Sequence, residues 1–254
     1  MNKKELKDLL DNLYVKYRNK HSSKDPVWRL HDFSDARDIE IIGLITSCYS
    51  YGQVDQINLF VNKFLKNINS GVHEFTSNYS EQKDKKYIKD LYYRFNTKED
   101  LSLLLINIGN AVKEFGSLLE LFLHKYNNSD ENIIKGLTFF SAKLNETTSQ
   151  NSNYKYLIPL VEKGSTCKRL NLYLRWMVRK DEIDLGIWSK KVNASKLVMP
   201  VDTHIYRISR KLKLVKRRSY DMKYALELTK KLKQFDPSDP VKYDFALCHL
   251  GIDS

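Results

Sequence analysis

Cysteine is scarce in this chain: Cys48, Cys167 and Cys248 are the only three in 254 residues, and no two stand in a CxxC spacing. Neither a cysteine-built zinc site nor a conventional iron–sulfur centre can be written from them, and we expect reduced thiols in a cytoplasmic compartment. Glycine and proline are also few, at 9 and 5, which argues against a fold rich in tight turns. No convincing period-two run of the kind a half-buried strand needs is present. Long apolar runs are missing too: LSLLLINIGNAV at 101 to 112 is well short of the ~20 residues of a membrane span. The opening MNKKELKDLLDNLYVKY lacks the continuous apolar centre of a signal peptide, and Leu6, Leu9, Leu10, Leu13 and Tyr17 recur instead as a helical stripe.

Acidic residues fall short of basic ones, 31 against 43, leaving a formal charge of +12. Such an excess favours an anionic partner, either nucleic acid or an acidic membrane surface. The membrane surface fits less well, because no helix pairs a basic face with a large exposed apolar one. The length allows one large domain or two smaller lobes.

What is present is helical periodicity. Asp35 or Ser34 can cap ARDIEIIGLITSC, whose Ile39, Ile42 and Ile45 share a stripe. VDQINLFVNKFLKNI at 54 to 68 repeats the pattern, and a further helix starts near Asp100 and runs through LSLLLINIGNAVKEF. HSSKDPVWRLHDFSD at 21 to 35 reads as a loop, since Pro26 biases Asp25 away from helix. NETTSQNSN at 145 to 153 is the most loop-like segment and the best place for a lobe to change. The fold class expected is all-α.

Chemistry concentrates in two stretches, GSTCKRLNLYLRWMVR at 164 to 179 and PVDTHIYRISRKLKLVKRR at 200 to 218. Pro159 and Gly164 bracket a turn, so Lys168 falls in the first turn of the helix that follows. A cation there opposes the positive helix end, and a destabilised ammonium is the route to a nucleophilic amine. In water a lysine of pKa ~10.4 is neutral only about four times in ten thousand at pH 7, so burial or the neighbouring Arg169 must do the activating. The alternative is a surface lysine beside Arg169 and Arg175 that touches phosphate or solvent. Asp202 precedes THIYRISRKLKLV, where Ile205, Ile208, Leu212 and Val215 mark a helix face; its alternative role is an N-cap. Arg207, Arg210, Lys211, Lys213, Lys216, Arg217 and Arg218 follow with no acid between them, a natural phosphate-binding run.

At these residues the chain resembles the helix-hairpin-helix DNA glycosylase superfamily, in particular an uncharacterised bacterial family near the archaeal 8-oxoguanine glycosylases. KRLNLYL at 168 to 174 is similar to the lysine-led helix after the hairpin, and VDTHIYRISRKLKL at 201 to 214 to the aspartate-containing segment. DIEIIGLITSCYSYGQVDQI at 38 to 57 is similar to the helix pair that opens an inserted helical lobe, and FALCHLGI at 245 to 252 to the closing helix. The pattern departs at the hairpin: IPLVEKGSTCK stands where the superfamily has Leu-Pro-Gly-x-Gly, and only Gly164 remains.

The resemblance implies a single globular unit of two helical lobes with a cleft between them, residues 36–150 forming the inserted lobe and 1–35 plus 151–254 the second. It implies a bifunctional DNA glycosylase and AP lyase on an oxidised purine such as 8-oxoguanine, with Lys168 and Asp202 catalytic. Damaged duplex DNA is the partner, no cofactor or metal is needed, and a bacterial, nucleoid-associated, cytoplasmic monomer is expected. Gly164, Arg169, His204, Arg207, Arg210, Lys211, Arg217 and Arg218 are the expected DNA contacts. Tyr49, Tyr51, Trp176, Trp188 and Phe245 are candidates to stack on an extruded base. The competing reading is a helical DNA- or RNA-binding protein that keeps the basic face without catalysis.

Overall fold

The computed structural model describes residues 2–18, 24–147 and 152–252. Thirteen α-helices lie among the described residues: α1 (Lys3–Tyr17), α2 (Ala36–Cys48), α3 (Val54–Asn67), α4 (Val72–Asn78), α5 (Glu81–Ile88), α6 (Lys98–Phe115), α7 (Leu118–Leu123), α8 (Ile134–Lys143), α9 (Ser152–Leu157), α10 (Lys168–Val178), α11 (Thr203–Lys211), α12 (Met222–Leu232) and α13 (Asp244–Ile252). Extended pairing among the described residues is confined to two isolated bridges, Tyr93 with Asn96 and Lys180 with Leu185. The chain is all-α, and no helix among the described residues is long and apolar enough to cross a membrane.

The chain divides into two compact units. One comprises Met1–Ser23, Asn128–Ile133 and Val161–Ser254; the other comprises Lys24–Asn127 and Ile134–Leu160. In the second, α6 is the central element, burying Leu101, Leu104, Leu105 and Ile108 and packing on α4, α5, α7 and α9. Gly109 makes the α4 crossing possible, because a Cβ there would stand 2.6 Å from the carbonyl oxygen of Thr76. α2 is buried over more than its isoleucine stripe, since Ile41 and Leu44 are also inside. Its buried Glu40 accepts the backbone N–H of Leu118 at 3.0 Å, satisfying the first turn of α7.

Three local expectations need correcting. The stretch read as loop contains a 3-10 helix at Pro26–Asp32: Asp25 accepts the Val27 N–H at 2.9 Å, Pro26 occupies the first helical turn, and Val27, Trp28 and Leu30 are buried. Asp35 caps α2 as expected, but α6 starts earlier than Asp100. Thr97 is its N-cap, and Asp100 reaches back to accept the Thr97 N–H at 2.8 Å. The basic helix ends at Lys211 and does not run on to Val215. Leu214 N–H returns to the Ser209 carbonyl at 2.9 Å and Lys213 N–H to that of Arg210 at 2.9 Å, a Schellman turn with Lys213 left-handed at φ 55°. Of the loop expected at 145 to 153, residues 148–151 lie outside the described residues.

Within the first unit, α13 packs against α11 and α1, and α12 against the 3-10 turn Pro240–Tyr243. This places the starts of α10, α11 and α13 in the same unit.

Candidate active site

The site is assembled from helix starts. α10 begins at Lys168, Asp202 is the N-cap of α11, and Asp244 is the first residue of α13. One hydrogen bond links the first two: Thr166, two residues before Lys168, donates its hydroxyl to the carbonyl of Val201, the residue before Asp202, at 3.1 Å. Asn171 Nδ2 holds the Thr166 carbonyl at 2.9 Å, fixing the entry to α10. Cys167, between Thr166 and Lys168, is left-handed at φ 46°, a conformation costly for a residue with a Cβ. Gly164 occupies the turn at φ 79°, its N–H on the Val161 carbonyl and its own carbonyl accepting from Met222 N–H, both at 3.0 Å. The altered hairpin is thus closed by hydrogen bonds to its own turn and to the start of α12.

Asp202 does the work of a cap, accepting the Ile205 N–H at 2.8 Å, and it remains half-buried, as does Lys168. Both bear on a third group that the sequence did not single out. Asp244 is buried, and its carboxylate accepts from Arg175 Nη1. Burial pushes its pKa up to about 6; Arg175 opposes that rise, the Asp202 charge adds to it, and Lys168 works against it. The only sign of Asp244 in the sequence is an acid one residue ahead of FALCHLGI, where a helix N-terminus favours negative charge.

Beyond Asp244 lies a buried ionic network. Arg175 and Arg179, one turn apart at the C-terminal end of α10, are 2% and 4% exposed. Arg175 donates to Asp184 through Nε at 3.1 Å and Nη2 at 3.0 Å. Arg179 donates to Asp239 at 2.9 Å and to Asp181 at 2.9 Å, and its Nη1 pairs with Asp184. Tyr14 donates its hydroxyl to Asp181 at 3.0 Å. Burial disfavours both guanidinium cations, but Asp184 with Asp244, and Asp184 with Asp239, outweigh it and raise their pKa values. The reading of Arg175 as a solvent or phosphate contact is therefore corrected. Its signal was available: α10 is buried throughout its length after Lys168, and an arginine on such a helix needs partners.

The remaining expected residues divide by exposure. His204, Arg207, Arg210, Lys211 and Arg218 are exposed, and none forms an ion pair among the described residues. Arg217 is taken up by Asp221, donating from Nε at 2.8 Å and also from Nη2; that hydrogen bonding holds the Asp221 carboxyl at about 2. Arg169 is buried, which takes it off the open basic surface. Trp176 and Trp188 are core residues, Trp188 meeting Tyr173 edge-on at 5.4 Å, and Phe245 is buried against the Arg175 guanidinium at 5.0 Å. Tyr49 is buried against Phe60 at 4.1 Å. In this conformation none of these four offers an open ring face, whereas Tyr51 is half-buried.

These features define an all-α protein in which an amine and two carboxylates gather at helix starts beside an unpaired basic segment. Residues 25–253 match the model of the family described as "Protein of unknown function (DUF2400)", and the chain belongs to that family. Neither the curated proteins nor the solved structures gave a match.

Proposed function

We propose that the chain is a DNA base-excision glycosylase with AP lyase activity on an oxidised purine such as 8-oxoguanine. The observation that carries this reading is the Thr166–Val201 bond, which ties the start of α10 to the start of α11 while Lys168 and Asp202 both act on Asp244. An amine, a capping carboxylate and a buried acid that titrates near neutrality are the parts a nucleophilic displacement at a sugar carbon uses.

In this mechanism the damaged nucleotide is turned out of the duplex, at an unstacking cost of a few kcal/mol, because a stacked base hides its sugar carbon. Asp202 accepts the proton of Lys168, and the neutral amine attacks C1′. The C1′–N bond breaks, its electron pair leaving with the base, which is then protonated. The sugar ring opens to a Schiff base on Lys168. Loss of a C2′ proton then breaks the C3′–oxygen bond and nicks the strand. Asp202 also stabilises positive charge developing on the sugar. His204, Arg207, Arg210, Lys211 and Arg218 hold phosphates, contributing affinity without base specificity.

A second reading, nucleic-acid binding without catalysis, is favoured by the altered hairpin and by the cap that Asp202 provides. An incision assay on a duplex carrying 8-oxoguanine separates the two. Catalysis predicts base release and strand cleavage, both abolished in Lys168→Gln. Retained DNA affinity with no release of any oxidised purine tested would establish the binding reading instead.

A further inference from the structure

The second unit carries a turn built with more care than its connecting role requires. Tyr93 and Asn96 exchange backbone hydrogen bonds, each at 2.9 Å, and Arg94 between them is left-handed at φ 55°. A non-glycine residue held in that region costs free energy and persists only where its surroundings fix it. Here they do. Asn96, itself buried, donates to Asp100 at 3.2 Å and to the Asn153 carbonyl at 3.0 Å. Asn153 donates back to the Phe95 carbonyl at 3.1 Å. The Tyr51 hydroxyl reaches the Tyr93 carbonyl at 3.2 Å and the Asn96 side chain, while the Tyr93 hydroxyl returns to the Tyr51 carbonyl.

What this frame holds up is aromatic surface. Tyr92 is 75% exposed, Phe95 44% and Tyr156 43%. Phe95 stacks on Tyr51 at 5.5 Å with 29° between the ring planes, and Tyr156 meets both edge-on, at 4.8 Å from Phe95 and 5.1 Å from Tyr51. Arg94 lies over the Tyr51 ring at 5.7 Å and has no carboxylate partner among the described residues. Gly52, at φ 89°, makes room for it: a Cβ there would stand 2.8 Å from Arg94 Nη1. Lys155, exposed, adds a second cation beside Tyr156.

We propose that the turn Tyr92–Asn96, with Tyr51 and Tyr156, is a stacking platform for an unpaired nucleobase of single-stranded nucleic acid, with Arg94 holding an adjoining phosphate. Exposed rings call for a planar apolar face, and the unpaired cations call for an anion; a nucleic-acid strand presents both at every residue. The pre-set rings lose little freedom on binding, which is what the strained Arg94 and its hydrogen-bond frame provide. The proposal rests on the reading of the chain as a nucleic-acid-binding protein, and it concerns bases outside the candidate active site.

The test compares a short labelled oligothymidylate with an abasic strand of the same length, by fluorescence anisotropy on the full chain. Wild type should prefer the base-bearing strand by roughly tenfold. Phe95→Ala and Tyr92→Ala should each shrink that preference while leaving affinity for the abasic strand unchanged. Tyr92, the most exposed ring, keeps the test valid should Phe95→Ala fail to fold. Equal affinity for both strands would overturn the platform and leave nucleic-acid binding through phosphates standing. No affinity for either strand, or for duplex DNA, would remove both. A concentration-dependent dimer that Tyr92→Ala dissolves would overturn the platform by assigning the rings to contact between copies.

Discussion

The two ends of α10 handle charge in opposite ways. At the C-terminal end Arg175 and Arg179 are shut inside the first unit, and Asp181, Asp184, Asp239 and Asp244 occupy their donors. At the N-terminal end Lys168 is half-buried, beside a half-buried Asp202 that already serves as a cap. One end is closed by mutual satisfaction, and the other keeps charge at the surface, where a ligand can reach it. Asp244 joins them, bonded to Arg175 and sensing Lys168 and Asp202. Buried ion pairs are expensive to break, because the surviving partner is left uncompensated. Half-exposed charges are cheap to change and are more useful to chemistry.

The largest effect should come from breaking the closed end. Arg175→Met strands Asp184 and Asp244 and should cost ~3–5 kcal/mol in urea unfolding, whereas Lys168→Met should cost under ~1 kcal/mol. Equal costs would erase the distinction between the two ends.

Next in size is the pH response of the residue that joins them. Asp244 keeps its proton up to about 6 in the folded chain, against 3.8 for an ordinary aspartate. Between those values the folded state binds more protons than the unfolded one, so this group's contribution to stability falls as pH rises from about 4 to 6. The loss is on the order of 2–3 kcal/mol. Asp35, Asp221 and Asp236, each held at about 2, act in the opposite sense but mainly below that window. The stability difference between wild type and Asp244→Asn should therefore shrink across pH 4 to 6. A difference that holds constant would place Asp244 outside the link.

Smaller again is the cap. Asp202→Ala should cost ~1 kcal/mol, while Asp202→Asn, which can still accept the Ile205 N–H, should leave stability within a few tenths. Base release should fall in both, and a loss of release only in the alanine variant would reduce Asp202 to its structural role. The smallest expected change is in the basic segment. Replacing Arg207 and Arg210 by glutamine should make the salt dependence of DNA affinity shallower by roughly one unit per lost phosphate contact. An unchanged slope would remove those side chains from the binding face.

Much of the fold was legible because helical periodicity and caps are local. Asp35, Lys168 and Asp202 stand at helix starts that their own neighbours specify. The early stop of α11 was not legible, since its Schellman turn uses Lys213 where glycine is the usual sign. The 3-10 helix after Asp25 was hidden for a similar reason, as Pro26 reads equally as a break or a first helical position. The buried network was missed on different grounds. Arg175 and Arg179 look like basic surface until their partners are known, and Asp239 and Asp244 lie 60 and 69 residues away in the chain. Such pairs belong to tertiary structure, and no local pattern announces them.

Borohydride trapping tests the central claim most directly. Wild-type protein incubated with 8-oxoguanine duplex and reductant should form a covalent adduct, and peptide mapping should place the sugar on Lys168, with no adduct in Lys168→Gln. An adduct on another lysine, or none with DNA bound at saturation, would contradict the assignment of the open end of α10 to chemistry.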